Sequence, residues 1–253
     1  MSQVLTEQDW ELGEIVEELD ELVENLKTED DEPVDNILSA KQQRLLTETL
    51  YSSWKPSPIE ENSSEPRPFF TDANIGIFYS VHSPPIVPDV FISLDVSAPK
   101  DLFSKKGRSY PVWEIGKVPE VVVEIVSNKE GGELDRKLNQ YARMGVRYYV
   151  VYDPFLQLSE DILRVYEPGL ANRFYLRQDY NLINVELSLT LWEGKFEDTE
   201  SKWLRWVDKN GDLLPTADEK AAIAEDKVRQ AEIRAQLLAE KLRELGVDPD
   251  QIA

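Results

Sequence analysis

The chain contains no cysteine and a single histidine, His82, in 253 residues. These absences exclude a disulfide framework, thiolate metal sites and multi-histidine zinc chemistry within one chain. No apolar run approaches the roughly 18 residues that span a bilayer, so no membrane partner is expected. The start of the chain lacks a basic stretch leading into an apolar one. That argues against a secretory signal and makes a cytoplasmic location the expectation. Basic residues are the minority: 28 Lys and Arg face 49 Asp and Glu, for a net charge of −21. That balance argues against a broad basic surface for nucleic acid.

The acidic charge is unevenly spread. Residues 1–32 hold 13 acidic groups and one lysine, a net of −12, so the other 221 residues carry only −9. A local basic patch is compatible with that remainder. Hydrophobic residues make up 41% of the chain and six are tryptophan, enough to bury a sizeable core. Trp54, Trp113, Trp192, Trp203 and Trp206 read as packing residues.

Three parts are legible. Residues 1–32 form an acidic amphipathic helix, with Leu12, Ile15, Leu19, Leu22 and Leu26 on one stripe over 4–27. It either packs on the body or a partner, or lies over a basic cleft in competition with nucleic acid. Residues 36–206 form the body. Residues 216–246 form a last helix, with a heptad seam of Ala221, Ala224, Val228, Ala231, Ala235, Leu238, Leu242 and Leu245. This helix either associates, giving a homo-oligomer and most simply a dimer, or folds back on its own body.

Within the body, a helix is expected from residue 36 or 39 to about 53. The four prolines of 55–68 predict a loop. Strands are expected at 75–80, 87–96, 121–127, 146–152, 162–166, 174–177 and 187–191. A helix over 133–144 is capped by Gly145. The strand, helix and strand of 121–152 imply a parallel pair, and the whole implies an α/β (α+β) mixed sheet flanked by helices.

Glu124 stands in the most apolar of these strands, Val121-Val122-Val123-Glu124-Ile125-Val126. A buried carboxylate needs a charged or polar partner. If 87–96 and 121–127 pair antiparallel, Asp89 comes beside Glu124. Two close carboxylates repel unless a proton or cation intervenes. Mg²⁺ or Mn²⁺ suits such an oxygen-only site. On the following helix, Lys137 lies at the edge of the apolar arc of Leu134, Leu138 and Tyr141, where its amine can reach back to the carboxylates. There it would orient a water or stabilise a phosphorane-like transition state. Each residue also has a plain structural role open to it: Asp89 as a turn cap, Lys137 as a snorkelling edge residue, and Glu124 and Lys137 as an ion pair.

Pro88-Asp89, Glu124-Ile125-Val126-Ser127, Asp135-Arg136-Lys137 with Tyr141 and Gly145-Val146, and Tyr148-Tyr149-Val150-Val151-Tyr152-Asp153-Pro154 together resemble the Uma-two family. That family is a branch of the PD-(D/E)xK, restriction-endonuclease-like superfamily. The resemblance covers about residues 36–200, and the tail from Leu242 to Asp250 resembles cyanobacterial members. It implies a restriction-endonuclease-like fold and a Mg²⁺- or Mn²⁺-dependent DNA endonuclease. Asp89 and Glu124 would bind the metal, with the Ile125 backbone carbonyl as a further ligand and Lys137 as the catalytic lysine. Val126 departs from the pattern, because the superfamily's triplet lysine would stand there. Glu48, on the early helix, is the candidate for an additional acid. Lys105, Lys106 and Arg108, with Lys100 and Lys117, form a basic connection that either lies beside the site and contacts phosphates or is a solvated loop. The alternative is a nuclease fold kept as an inactive module for binding or assembly.

Overall fold

The computed structural model describes residues 36–60, 63–81, 83–104, 106–129, 131–245 and 248. The expected N-terminal helix over 4–27 lies outside these residues. Helix α1 spans Ile37–Ser53, started by Asn36, whose side chain accepts the Ser39 N–H. Strand β1 (Phe69–Ala73) follows the proline-rich loop. Then come β2 (Ile77–Phe78), β3 (Val90–Leu94), β4 (Tyr110–Pro111), the short helix α2 (Val112–Ile115) and β5 (Val121–Ile125). A π-helical turn, Glu133–Lys137, runs directly into α3 (Leu138–Met144). Gly145 closes α3 in the left-handed conformation, at φ 92°. The remaining strands are β6 (Tyr148–Tyr152), β7 (Leu163–Pro168), β8 (Phe174–Leu176), β9 (Asn181–Leu182), β10 (Leu187–Phe196) and β11 (Thr199–Val207). Helix α4 (Ala217–Glu244) ends the described fold.

The central sheet has six strands in the order β1-β3-β5-β6-β7-β8. Only β5 and β6 pair parallel within it, joined through the π turn and α3; its other neighbours are antiparallel. The architecture is therefore the expected mixed sheet with flanking helices. Strand alternation divides the core in two. Val121, Val123 and Ile125 face Leu46 and Leu50 of α1 and Leu204 and Trp206 of β11. Val122 and Val126 face Tyr141 of α3, together with Phe70, Phe91 and Tyr110. Glu124 shares this second face.

Several boundaries differ from those read in the sequence. The strand expected over 75–80 is reduced to Ile77–Phe78, paired parallel with β4. The strand beside β3 on its outer side is β1, which begins right after Pro68 and was not expected. Proline cannot donate to a ladder, but it does not prevent the next residue from pairing. The strand expected over 187–191 runs on to Phe196 and leaves the central sheet: it pairs with β11, which was not expected, and with β9 in a separate three-stranded sheet. No described helix is long and apolar enough to cross a membrane. Among the described residues, helix α4 meets the body near its start, through Ala217 and Lys220, and none of its own residues is buried.

Candidate active site

The site lies where β3 begins and β5 ends. Val90 pairs with Val123, so the antiparallel register sets residue 89 opposite residue 124. Asp89 just precedes β3 and is buried. Its Oδ2 accepts the Ile125 backbone N–H at 2.6 Å, and its Oδ1 accepts from Gln43 Nε2 at 2.8 Å. Gln43 is held in turn by Asn74, whose Nδ2 donates to Gln43 Oε1 at 3.0 Å. This chain of side chains fixes the plane of the carboxylate from two directions.

Glu124 is 1% exposed. Lys137 donates to its Oε2 at 2.7 Å and the Tyr141 hydroxyl to its Oε1 at 2.8 Å. Lys137 and Tyr141 are four apart, so they project from one face of the helix. The π turn sets their phase: the Lys137 N–H bonds the Gly132 carbonyl five residues back, at 2.9 Å. Gly132 occupies the left-handed region at φ 72°, which suits a residue without a Cβ. Such π turns recur at functional sites.

A third carboxylate approaches from that turn. Glu133 Oε1 stands 3.8 Å from the Lys137 amine, and Glu133 Oε2 is buried without a hydrogen-bond partner among the described residues. The cluster thus sets three carboxylates against one ammonium. Burial pushes the Glu124 carboxyl up to about 8; Lys137 and Tyr141 oppose the rise and the charge of Asp89 adds to it. Burial disfavours the Lys137 charge, yet the attraction of Glu124, Asp89 and Glu133 outweighs it and raises the amine above its ordinary value.

The structure brings Asp89, Glu124 and Lys137 together, and Ile125 joins them through its N–H. It does not bring Glu48. That carboxylate accepts the Ala217 N–H at 2.7 Å, at the start of α4. Gln43, five residues earlier on α1, is the residue that α1 sends to Asp89. Its signal was its spacing: Gln43, Leu46 and Leu50 follow the three-and-four rhythm of an inward stripe. Val126 is fully buried in the apolar core.

The basic connection is not anchored beside the site. It leaves β3 at Leu94 and enters β5 at Val121, the strand ends opposite Asp89 and Glu124. Lys117 holds those ends together, donating to the Leu94 carbonyl at 2.9 Å and to Glu120. Lys105 lies outside the described residues, Lys106 opens a short 3₁₀ turn, and Arg108 is exposed.

The donors suit a hard divalent cation of a particular kind. Among the described residues no group of three or more Asp, Glu, His or Cys is arranged as a metal cage. Two adjacent carboxylates with surplus negative charge fit a cation that keeps several waters, as Mg²⁺ does. No curated protein matches the chain. A family model described as "putative restriction endonuclease", Uma2, matches residues 32–197, a span that holds Asp89, Glu124 and Lys137. With the match covering most of its length, the chain belongs to the Uma2 family.

Proposed function

We propose that the protein is an endonuclease that hydrolyses DNA phosphodiesters with the help of Mg²⁺ or Mn²⁺. One observation carries this reading: a buried strand glutamate faces a second carboxylate and receives a lysine from the next helix. Asp89 and Glu124 would hold the cation, with the Ile125 carbonyl as a further donor. When bound, the cation lowers the pKa of a water and offsets charge on the phosphate.

The remaining work falls to the chain's own groups. Gln43 and the Ile125 N–H keep Asp89 from rotating, so the carboxylate is preorganised. Tyr141 steadies Glu124 from the apolar side. The Lys137 ammonium would donate a hydrogen bond to a phosphate oxygen as charge builds there. Glu133, within 3.8 Å of that amine, can hold it when Glu124 turns to other work. Arg108 would meet phosphates only of a nucleic acid long enough to reach beyond the strand ends that hold Asp89 and Glu124.

The test is cleavage of plasmid and single-stranded DNA with Mn²⁺, comparing wild type, Asp89→Ala and Lys137→Ala. Cleavage by wild type alone supports the proposal; equal cleavage by all three overturns it. A second reading, a nuclease-fold module for binding or assembly, is favoured by one feature: Glu124 and Lys137 already satisfy each other at 2.7 Å. Calorimetric titration with Mn²⁺ separates the two. Binding lost in Glu124→Ala supports the enzyme, and no binding at millimolar concentrations supports the module.

A further inference from the structure

Among the described residues, the hydrogen bonds that tie helix α4 to the body lie at its beginning. Thr216 caps it, accepting the Glu219 N–H while the Glu219 carboxylate accepts the Thr216 N–H. Arg205 clasps Glu219 with two bonds of 2.7 and 2.8 Å, and Lys220 donates to the Ser52 carbonyl. Beyond these residues the helix continues for some six turns, and its 28 residues run about 42 Å. Val228, Leu238 and Leu245 are each more than half exposed. In proteins most of a helix's stability comes from packing its apolar face against a partner.

The heptad fixes what that partner must look like. With Ala221, Val228, Ala235 and Leu242 at position a, and Ala224, Ala231, Leu238 and Leu245 at d, the flanking g positions are Lys220, Lys227, Arg234 and Lys241. The e positions are Asp218, Glu225, Glu232 and Ala239. One edge of the seam is wholly basic and the other acidic until Ala239. In a parallel, in-register pair each g residue meets the e residue five positions on in its neighbour. Lys220 then meets Glu225 and Lys227 meets Glu232, twice each by symmetry. In an antiparallel pair g meets g and e meets e, so lysine faces lysine or arginine and glutamate faces an acid. The ion pair of Arg229 with Asp226 sits on the outer b and f positions, clear of this edge.

We infer that α4 pairs with α4 of a second copy of this chain as a parallel, in-register coiled coil. The pairing sets the two bodies at the same end of the rod. Alanine at four of the eight seam positions keeps the helices close and the association moderate.

The test is sedimentation of the full chain at micromolar concentrations, with one orientation probe. The expected mass is twice 29.1 kDa. The double variant Glu225→Lys, Glu232→Lys makes both edges basic and should raise the dimer dissociation constant by about tenfold or more. Mixing it with Lys220→Glu, Lys227→Glu should restore the dimer. Because the chain has no other cysteine, Leu238→Cys gives a clean orientation readout: oxidation should link 238 to 238 between copies, whereas antiparallel overlap sets 238 opposite about 224. A wild-type chain at 29.1 kDa, whether bare or with its own residues 4–27 laid on α4, overturns the inference. So does a dimer indifferent to the charge reversal, or one that fails to link through 238.

Discussion

The two faces of β5 differ more than their near-identical residues suggest. Val121, Val123 and Ile125 point into an aliphatic core under α1 and the β10–β11 hairpin. Val122, Glu124 and Val126 point the other way, towards α3, where Tyr110, Tyr141 and Tyr149 bring hydroxyls into the core. Each of those hydroxyls has a partner: Ser93 for Tyr110, Glu124 for Tyr141 and the Glu133 carbonyl for Tyr149. The period of two in a strand separates an aliphatic face from one that carries a carboxylate and hydroxyls along a single run of six residues.

Substitutions on the polar face should have the largest effect. Glu124→Gln or Asp89→Asn is expected to lower DNA cleavage by about a thousandfold or more, measured as initial rates with Mn²⁺, because a charged donor is replaced by a neutral one of the same shape. Retained activity in both would mean that the two faces do not divide the labour. Val123→Ala, on the aliphatic face, should cost about 2–3 kcal/mol in urea unfolding while leaving the Mn²⁺ affinity unchanged. A shift in affinity would show the faces to be coupled.

The pH response sharpens the same contrast. The folded-state Glu124 carboxyl is raised to about 8 from an ordinary value near 4.5, chiefly by burial. Between those values the folded state holds more protons than the unfolded one. Glu124 therefore makes stability fall as pH rises through this window, by at most about 1.4 kcal/mol per pH unit, and adds no further slope above it. Unfolding midpoints from pH 5 to 8.5 should show that slope in the metal-free wild type and lose it in Glu124→Gln. The smallest effect is expected at Glu48→Ala. It removes the acceptor for the Ala217 N–H, costs about 1 kcal/mol in thermal unfolding, and leaves cleavage rates unchanged.

The course of the central strands was legible from residue type: Val121 to Ile125, Tyr148 to Tyr152 and the helix between them stand where the apolar runs and Gly145 predict. Strand β1 was not, because the prolines of 55–68 dominate the reading of Phe69 and Phe70, and pairing with β3 is a long-range event. Glu124 and Lys137 were visible as charges out of place in apolar patterns. Glu133 was not, because an acid in a first helical turn has an ordinary explanation in the helix dipole. The π turn that aims Lys137 has no side-chain signature apart from the glycines before it. Glu48 and Gln43 both lie on α1; the stripe of Gln43, Leu46 and Leu50 marks the inward face, and an acid was expected there rather than an amide.

The lysine's origin on a helix frees position 126. A strand lysine would tie the sheet's interior to the reaction, whereas Val126 answers only to the apolar core. Mutational drift can then repack the strand without touching the amine. The converse exposure falls on the helix: a slip of α3 by one residue carries the amine about 1.5 Å along its axis. Under the proposed function, selection would tune the site through the seating of a helix, and activity would be lost by reseating it while every acidic residue stayed in place.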